Sequence, residues 1–406
     1  MDVLVINCGS SSIKYRLYDM SNETVLAKGM VEKLGAPDAR LVHEAGGKKL
    51  EKKEHIADHA AAFSVLTEAL IHSEAAAIQS TDEIAAVGHR VVHGGEGFTE
   101  SVQIDDKVIA LIEKFSTLAP LHNPPNLVGI QEAMKHYPNV PHVAVFDTAF
   151  HETMPPHAYM YPLPYDLYEQ DGIRKYGFHG TSHRIVAERA AKMCNTPVEE
   201  FSAITCHLGN GCSLAAIKNG QSVDTSMGLT PLEGVPMGTR TGDVDPAVVF
   251  FIAQQRGLNL DEINNLMNKK SGLLGISGVS NDMRELSAAA EDGNERAALA
   301  LDVFAYRIKK YIGSYMAALG HTDAIVFTGG IGENQFAIRE KICSGLEELG
   351  ACLDEDANNE CVGKRGEIST RDSRVKLLVV PTNEELVIAR DTARISQKLA
   401  NSATTA

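Results

Sequence analysis

The chain has 406 residues, a formal net charge of -15 at pH 7 and seven cysteines. The length predicts two or three domains, each with an ample core. The negative charge argues against nucleic acid or membrane partners, so any anion site must be built locally. The cysteines form no C-x-x-C pair, no signal peptide is evident and no apolar run could span a bilayer. These features favour reduced thiols and a cytoplasmic protein.

The most informative segment is a turn of small residues near the start of the chain. Residues 3–6 read as a buried strand, residues 7–12 (Asn-Cys-Gly-Ser-Ser-Ser) as a turn, and the following residues as a second strand. Glycine permits a tight turn, the serines offer donors and Lys14 adds a positive charge, a combination that can cradle phosphate. Alone, the signal is weak, because such turns are usually only structural.

A second copy of this pattern occurs in the other half of the chain. Residues 203–217 again read as a buried strand, a glycine-rich turn and an apolar strand, with His207 in the place of Asn7. Further along each half, residues 144–149 resemble residues 325–330. Because both features occur in the same order, we predict a duplicated domain. Chance reuse of a strand-turn-strand unit is the less favoured alternative.

Helical periodicity alternates with the predicted strands, which indicates an α/β fold with covered sheets. The predicted helices cover residues 60–78, 127–134 after an Asn-Pro-Pro start signal, 182–193, 294–319 and 384–398. We place the domain change at residues 147–150. This gives domains 1–149 and 150–383, with the C-terminal segment 384–406 packing back on the first domain.

Two arginines occupy positions that favour anion binding. Arg90 lies in an apolar stretch, where an arginine is rarely buried without an anion partner. A structural pair with a carboxylate is as well supported there as a substrate role. Arg240 lies in the loop Gly-Thr-Arg-Thr-Gly at 238–242. Its planar fork can bind a carboxylate or a phosphate through two hydrogen bonds, and a solvated loop is the alternative.

Other positions suit catalysis or nucleotide binding. His179 lies between two glycines ahead of a helix, where it can donate to a developing negative charge. Residues 328–334 run from a strand into a glycine-rich helix start that can cover phosphates. Residues 280–284 are a weaker candidate for holding an adenosine. Glu384, at the start of the last helix, suits Mg²⁺, although a carboxylate there also stabilises the helix dipole.

Taken together, these segments resemble the acetate kinase family over essentially the whole chain. The matching motifs are residues 7–14, 146–151, 207–211, 224–234, 328–334 and 381–385. The resemblance implies a duplicated ribonuclease-H-like fold, shared by actin, sugar kinases and heat-shock ATPases, with ATP in a cleft between two similar domains. It also implies a homodimer and reversible transfer of the ATP γ-phosphoryl group to acetate, with Mg²⁺, or Mn²⁺ in its place.

The resemblance assigns a role to individual residues. Asp147, His179 and Arg240 are catalytic, and Asn7 and Glu384 serve the metal. The acyl substrate is bound by Arg90, Val92, Leu121, Phe178 and Pro231. ATP or ADP is bound by Lys14, His207, Leu208, Gly209, Asn210, Gly211, Asp282, Met283, Arg284, Gly330, Ile331, Gly332, Glu333 and Asn334. Met283 and Cys212 depart slightly from the residues usual in the family, without removing a charge.

Several alternatives stay open at this stage. In the family Asp147 is the acid/base residue, but acetate is already ionised at neutral pH and has no proton to lose. Orienting Arg240 or holding a metal-bound water are the other roles for Asp147. Propionate is the alternative substrate, because one methylene discriminates by only ~1–3 kcal/mol. A non-catalytic ATP-driven module is less favoured, because ATP binding alone needs no arginine clamp for a carboxylate.

Overall fold

The computed structural model describes residues 1–120 and 122–404. The strands are β1 Asp2–Cys8, β2 Ser12–Asp19, β3 Thr24–Glu32, β4 Arg40–Ala45, β5 Lys48–Lys53, β6 Ile84–Val91, β7 Val102–Gln103, β8 His142–Phe146, β9 Ala203–Leu208, β10 Cys212–Lys218, β11 Gln221–Thr225, β12 Ala324–Thr328, β13 Gly366–Glu367 and β14 Lys376–Val379. Strands and helices alternate along much of the chain, so the α/β class predicted from the sequence is confirmed.

Helices of very different lengths connect these strands. They are α1 His59–His72, α2 Asp106–Lys114, α3 Asn123–His136, α4 Pro156–Tyr159, α5 Tyr165–Asp171, α6 Gly180–Met193, α7 Pro246–Arg256, α8 Leu260–Lys269, α9 Gly272–Ser277, α10 Met283–Glu291, α11 Glu295–Leu319, α12 Gly329–Asn334, α13 Phe336–Cys343, α14 Glu355–Glu360 and α15 Glu384–Thr404. Among the described residues, none of them is both long enough and apolar enough to cross a membrane.

The predicted helix over residues 60–78 was too long. Helix α1 ends at His72, because the N–H groups of Ala77 and Ile78 both donate to the carbonyl of Leu70 and close a turn there. The predicted helix over 127–134 was too short. Helix α3 already begins at Asn123, where the two following prolines supply the fixed φ of a first helical turn.

The chain divides into two compact units. The first comprises residues 1–149 together with the segment from Asn383 onward, and the second comprises Phe150–Thr382. The first sheet has the order β5-β4-β3-β2-β1-β6-β8-β7, and the second has the order β11-β10-β9-β12-β14-β13.

Both sheets contain the same five-strand core. Three antiparallel strands, β3-β2-β1 or β11-β10-β9, are followed by two strands that run parallel to the third, β6-β8 or β12-β14. The order and the strand directions agree, which confirms the predicted duplication of a ribonuclease-H-like unit. Because the central strands are parallel, the residues that follow them gather at one edge of each sheet.

In the first unit, the alternation of side chains along β1 buries both faces of the sheet. Leu4 and Ile6 belong to a core that includes Phe63 of α1, whereas Val3 and Val5 pack with residues of α15. Helix α15 approaches so closely that a methyl group at Gly88 would lie 2.3 Å from the side-chain oxygen of Thr392. The C-terminal helix is therefore an integral layer of the first unit.

Candidate active site

In the first unit, polar residues cluster where the parallel strands β1, β6 and β8 end. Asn7 lies near the end of β1 and pairs with Lys14 of β2 in the sheet register. Arg90 is the penultimate residue of β6, and Asp147 directly follows β8. The backbone N–H of Asp147 donates to the carbonyl of Val91 at 3.0 Å, which fixes the start of this loop against the neighbouring strand.

Arg90 and Asp147 form a two-pronged ion pair. Nε of Arg90 donates to Oδ1 of Asp147 at 2.9 Å, and Nη2 donates to Oδ2 at 2.6 Å. Asp147 is only 2% exposed, whereas Arg90 is 24% exposed. The nearby carboxylate raises the pKa of Arg90. The structural Arg–carboxylate pair considered from the sequence therefore exists, and it still leaves Nη1 of Arg90 without a hydrogen bond among residues 1–120 and 122–404.

The side chain that Asp147 holds in this structure is thus Arg90. The sequence offered Arg240 or a metal-bound water as partners of Asp147, and those roles stay predictions. Both oxygens of Asp147 already accept from a guanidinium, which does not suit a group that must take up a proton. The geometry favours an orienting role for Asp147 over the acid/base role.

Glu384 is the first residue of α15 and belongs to the same electrostatic cluster. The pKa of Glu384 is raised to about 7, mainly by burial; the charges of Asp147 and Glu385 add to the rise, and those of Arg90 and Lys14 oppose it. Burial and the neighbouring carboxylates make Glu384 difficult to ionise. A bound cation would offset both effects, so this position suits a cation. Asn7 and Glu384 offer oxygen donors, the type that Mg²⁺ prefers.

These donors fit an ion that is bound mainly by phosphates and water. Within the described part of the chain, no group of three or more His, Cys, Asp or Glu residues is arranged to hold a metal. Mg²⁺ in nucleotide enzymes commonly keeps several waters and takes only one or two carboxylates from the protein. The donor set of the first unit agrees with that kind of site.

In the second unit, His179 is held in an unusual backbone conformation. It has φ 58°, in the left-handed region, and caps the N-terminus of α6. The preceding Gly177 also has a positive φ, and a methyl group there would lie 2.3 Å from the side chain of Thr225. The Nδ1 atom of His179 lies 2.8 Å from the hydroxyl of Ser213, and its ring stacks on that of His207 with the ring centres 4.2 Å apart. The ring is therefore held on two sides.

Arg240 is brought to the same place as His179. A methyl group built at Gly211 would lie 3.5 Å from Nη1 of Arg240 and 3.5 Å from Cε1 of His179. Nη1 of Arg240 donates weakly to the carbonyl of Pro231 at 3.3 Å. Burial lowers the pKa of Arg240, and no carboxylate pairs with it among the described residues. A half-buried guanidinium without a carboxylate partner is a candidate anion site.

Three segments predicted to bind nucleotide line one cavity of the second unit. The cavity has a volume of about 610 Å³ and is lined by Gly209, Asn210, Asn281, Asp282, Met283, Arg284, Gly330, Ile331, Asn334 and Gln335. Asn281 belongs to the segment 280–284 that the sequence offered as a weaker adenosine site, whereas Gln335 was not singled out from the sequence. Nδ2 of Asn281 donates to Oδ1 of Asn210 at 3.0 Å, which ties two of the segments together.

Not every predicted nucleotide residue faces this cavity. Oε1 of Glu333 accepts from the N–H groups of Gly329 at 2.9 Å and Thr382 at 3.1 Å, so its carboxylate holds two loops together. His207 and Leu208 lie in the buried strand β9, and Ser182 bonds Nδ1 of His207 at 2.8 Å. Gly211 and Gly332 are likewise not among the lining residues.

The residues expected to form the acyl pocket are divided between the two units. Val92, in the first unit, is 8% exposed, and its N–H donates to Asn126. Phe178 and Pro231 lie in the second unit. Phe178 is 2% exposed, and the carbonyl of Pro231 accepts a hydrogen bond from Arg240. Leu121 lies outside the described residues.

Comparison with known proteins gives concordant results. A family model described as the acetokinase family matches residues 2–390. An acetate kinase of Halothermothrix orenii is 57% identical over 396 residues, which is 97% of this chain and 99% of the relative. An acetate kinase of Desulfitobacterium hafniense is 56% identical over 399 residues, which is 98% of this chain and 100% of the relative.

Solved structures are similar over almost the same length. The crystal structure of Porphyromonas gingivalis acetate kinase has a TM-score of 0.94 at 50% identity, covering 97% of this chain and 99% of that one. A propionate kinase from Francisella tularensis has a TM-score of 0.91 at 42% identity, with the same coverage.

The Arg90–Asp147 pair should be strongly stabilising because its carboxylate is buried. We expect Arg90→Ala to lower the free energy of unfolding by ~3–5 kcal/mol, since it leaves a buried charge without its partner. Arg90→Ala combined with Asp147→Asn should be less damaging than the sum of the two single changes. Chemical denaturation measures all three variants.

The matched control is the pair of Arg390 and Glu23 in the same unit. It has the same two-pronged geometry at 2.7 and 2.6 Å, but both side chains are about 40% exposed. Arg390→Ala should therefore cost no more than ~1 kcal/mol. Equal losses for Arg90→Ala and Arg390→Ala would contradict the assignment.

Proposed function

This chain belongs to the acetate kinase family and transfers a phosphoryl group between ATP and a carboxylate, and from this premise we propose how its residues perform the reaction with acetate. One observation carries the proposal. In the second unit, Gly211 lies close to both Arg240 and His179. Gly211 directly follows the cavity residues Gly209 and Asn210 in the sequence. Arg240 has no carboxylate partner among the described residues. Donors are thus assembled beside a glycine-rich turn that permits close approach of phosphate.

ATP occupies the cavity lined by the segments around Asn210, Asp282 and Gly330. A volume of about 610 Å³ is within the range of small-ligand sites. A methyl group at Gly330 would meet nothing within 4 Å, so this turn leaves room for a ligand. Lys14, exposed at the start of β2, adds a positive charge in the first unit.

Arg240 and His179 stabilise the phosphoryl group during transfer. The transferring group spreads its charge over three equatorial oxygens, and catalysis consists mainly of positioning and charge neutralisation. The fork of Arg240 can bind two of these oxygens, and an imidazole N–H of His179 can bind another. Direct in-line transfer requires no covalent intermediate on the protein.

Arg90 holds the acetate carboxylate. Asp147 fixes the plane of the guanidinium through Nε and Nη2, so the nitrogen Nη1 is oriented before the substrate arrives. Because acetate is already ionised, Asp147 need not remove a proton. Val92, Phe178 and Pro231 are proposed to bound the methyl group.

The metal would be held by the side-chain oxygens of Glu384 and Asn7, directly or through water. Bound Mg²⁺ neutralises charge on the nucleotide phosphates. The raised pKa of Glu384 means that this residue must lose its proton to act as a ligand, and the positive charges of Arg90 and Lys14 favour that loss. The family implies the use of Mg²⁺, and these two residues are our proposal for the site.

The substrate assignment is tested by trapping the acyl phosphate with hydroxylamine. We expect the highest kcat/KM with acetate, a lower value with propionate and little product with butyrate. Val92→Ala should shift relative specificity toward propionate by ~1 kcal/mol or more, since one methylene gains room. The control is Val362→Ala, at a position that is 46% exposed. A preference of the unmodified chain for propionate would instead support the alternative of a propionate kinase.

Arg240→Ala should lower kcat by ~10²–10⁴, with smaller changes in KM, because the lost contacts form in the transition state. Arg240→Lys should recover little, since a point charge cannot span two oxygens. Added guanidine should restore part of the rate of the alanine variant. Arg371→Ala, at an exposed loop position, is the control for loss of charge. A folded Arg240→Ala protein with unchanged kcat would remove this residue from the mechanism.

Glu384 should make stability depend on pH when Mg²⁺ is absent. Its pKa is about 7 when folded, above the ordinary value of 4.5, so the folded state holds the extra proton between these values. Stability therefore falls as pH rises through this window, and the cost is fully present above pH 7. Glu384→Gln should be more stable than the parent at pH 8 and similar to it at pH 4.5. Denaturation at both pH values checks this, with Glu68→Gln as control, and a difference independent of pH would argue against it.

A homodimer is proposed from an exposed apolar surface around α7. This surface is defined by Val244, Val248, Phe250, Phe251 and Leu260, whose side chains are between 37% and 83% exposed. Helix α7 has no buried residue although its sequence is largely apolar. Contiguous apolar surface of this kind marks interaction sites, and a second copy of the chain is the partner that the family implies.

The seven free thiols support a location in a reducing compartment, and we propose the cytoplasm.

Phe250→Ser combined with Phe251→Ser should shift the sedimentation coefficient from dimer to monomer, because the two rings are the largest exposed apolar groups of α7. Tyr165→Ser, which removes an aromatic ring of similar exposure on α5, is the control. A double variant that remains dimeric would place the interface elsewhere.

A further inference from the structure

A buried chain of hydrogen bonds leads to His179 from the interior of the second unit. Oγ1 of Thr205 lies 2.7 Å from Nδ1 of His183, and Nε2 of His183 lies 2.8 Å from Oγ of Ser213. The same Ser213 oxygen lies 2.8 Å from Nδ1 of His179. Thr205, His183 and Ser213 are all 0% exposed. Three side chains thus connect strand β9 to the candidate catalytic histidine.

The local backbone explains why the chain can form. His179 and His183 are four residues apart across the first turn of α6, so their rings lie on the same side of the helix. The N–H of His183 donates to the carbonyl of His179 at 3.0 Å. Ser213, on β10, pairs directly with His207 of β9 in the sheet register and points its hydroxyl between the two rings.

A hydroxyl has one proton, and this limits how Ser213 can bond two ring nitrogens. It must donate to one ring and accept an N–H from the other, so the proton positions on His179 and His183 are coupled. Burial lowers the pKa of His183 well below its ordinary value, and the charges of His151 and His207 act in the same direction. His183 is therefore neutral and carries a single ring proton.

Thr205 determines the direction of the chain. Among the described residues, the only hydrogen-bond partner of its side-chain oxygen is Nδ1 of His183. A buried hydroxyl satisfies its proton only by donating it, so Thr205 donates to Nδ1. The proton of His183 is then on Nε2 and is donated to Ser213, which leaves Ser213 to donate to Nδ1 of His179.

We propose that Thr205, His183 and Ser213 are positioning residues that hold His179 as the neutral tautomer with its proton on Nε2. The proposal rests on the role proposed for His179 in phosphoryl transfer. A methyl group at Gly211 would lie 3.6 Å from Nε2, so this nitrogen faces the same turn as Arg240. His179 then serves as a fixed hydrogen-bond donor to the phosphoryl group and does not take up a proton at Nδ1. This suits a reaction whose nucleophile is already ionised.

Nitrogen NMR of the full chain labelled at histidine tests the proton position directly. The signals of His179 are assigned by comparison with His179→Gln. In the unmodified protein at pH 7.5 we expect a protonated Nε2 and an unprotonated, hydrogen-bonded Nδ1. A proton on Nδ1, alone or together with one on Nε2, would overturn the proposal.

Ser213→Ala removes the link between the two rings. We expect His179 to become a mixture of tautomers and kcat to fall by about 10-fold to 100-fold, with both KM values changed less than about twofold. Ser222→Ala is the matched control, because Ser222 is also 0% exposed and its hydroxyl lies 2.8 Å from Nδ1 of another histidine, His151. Its kcat and its His179 signals should stay near those of the parent. Equal effects of the two alanine variants would reduce Ser213 to a packing role.

A second pair of variants keeps the proposal testable if Ser213→Ala does not fold. Thr205→Val keeps the shape and removes the hydroxyl, whereas Thr205→Ser keeps the hydroxyl and removes a methyl group. We expect the valine variant to lose about 3-fold to 10-fold in kcat with altered His179 signals, and the serine variant to retain most of the rate. The reverse order would overturn the assigned direction.

The outcomes separate this proposal from the role of His179 itself. Unchanged kcat in His179→Gln would remove His179 from catalysis. A large loss in His179→Gln, together with unchanged kcat and His179 signals in Ser213→Ala and Thr205→Val, would leave His179 in place and overturn only the positioning chain.

Discussion

The ion pair between Arg90 and Asp147 determines what the catalytic edge of the first unit can do. A carboxylate that is 2% exposed is costly to keep ionised unless a cation satisfies both of its oxygens, and Arg90 does so from the adjacent parallel strand. The pair joins the ends of β6 and β8 and fixes a guanidinium whose remaining nitrogen can meet a second carboxylate. Under the proposed role of Arg90, acetate would bind beside a carboxylate that repels it, which weakens binding of the ground state.

The second unit solves a different problem, that of giving buried imidazoles hydrogen-bond partners. His151, His183 and His207 each bond a hydroxyl through Nδ1, with Ser222, Thr205 and Ser182 as the respective partners. Partnered rings lose little by being buried, and they cannot rotate freely. Rigid donors need no reorganisation when charge develops, which is the main source of electrostatic catalysis. The left-handed backbone at His179 belongs to the same design, since it presents the ring from a helix terminus rather than from a mobile loop.

The sequence was sufficient for features that depend on short stretches of chain. The repeated strand-turn-strand pattern led to the duplicated α/β fold, and glycine spacing located the turns that now line the cavity. Side-chain contacts between strands could not be predicted from the sequence. The contact of Ser213 with two histidines, for example, depends on the register of β10 against β9. For the same reason, Arg90 could be given either a structural or a substrate role, and the structure shows the pair without removing the other role. Glu333 was assigned to ATP binding from the resemblance, but its hydrogen bonds to two backbone N–H groups depend on how distant segments meet.

The repeated strand order has a consequence for how the chain can diversify. The first copy carries carboxylates and an arginine at its strand ends, whereas the second carries glycines, imidazoles and an arginine. Phosphate chemistry tolerates few changes, whereas acyl groups differ by single methylenes. A change at Val92, which is proposed to bound the acyl group, would therefore alter the acceptor without changing the residues around His179. On these proposed roles, the first copy offers one position at which the accepted carboxylate can change while the residues proposed for phosphoryl transfer stay the same.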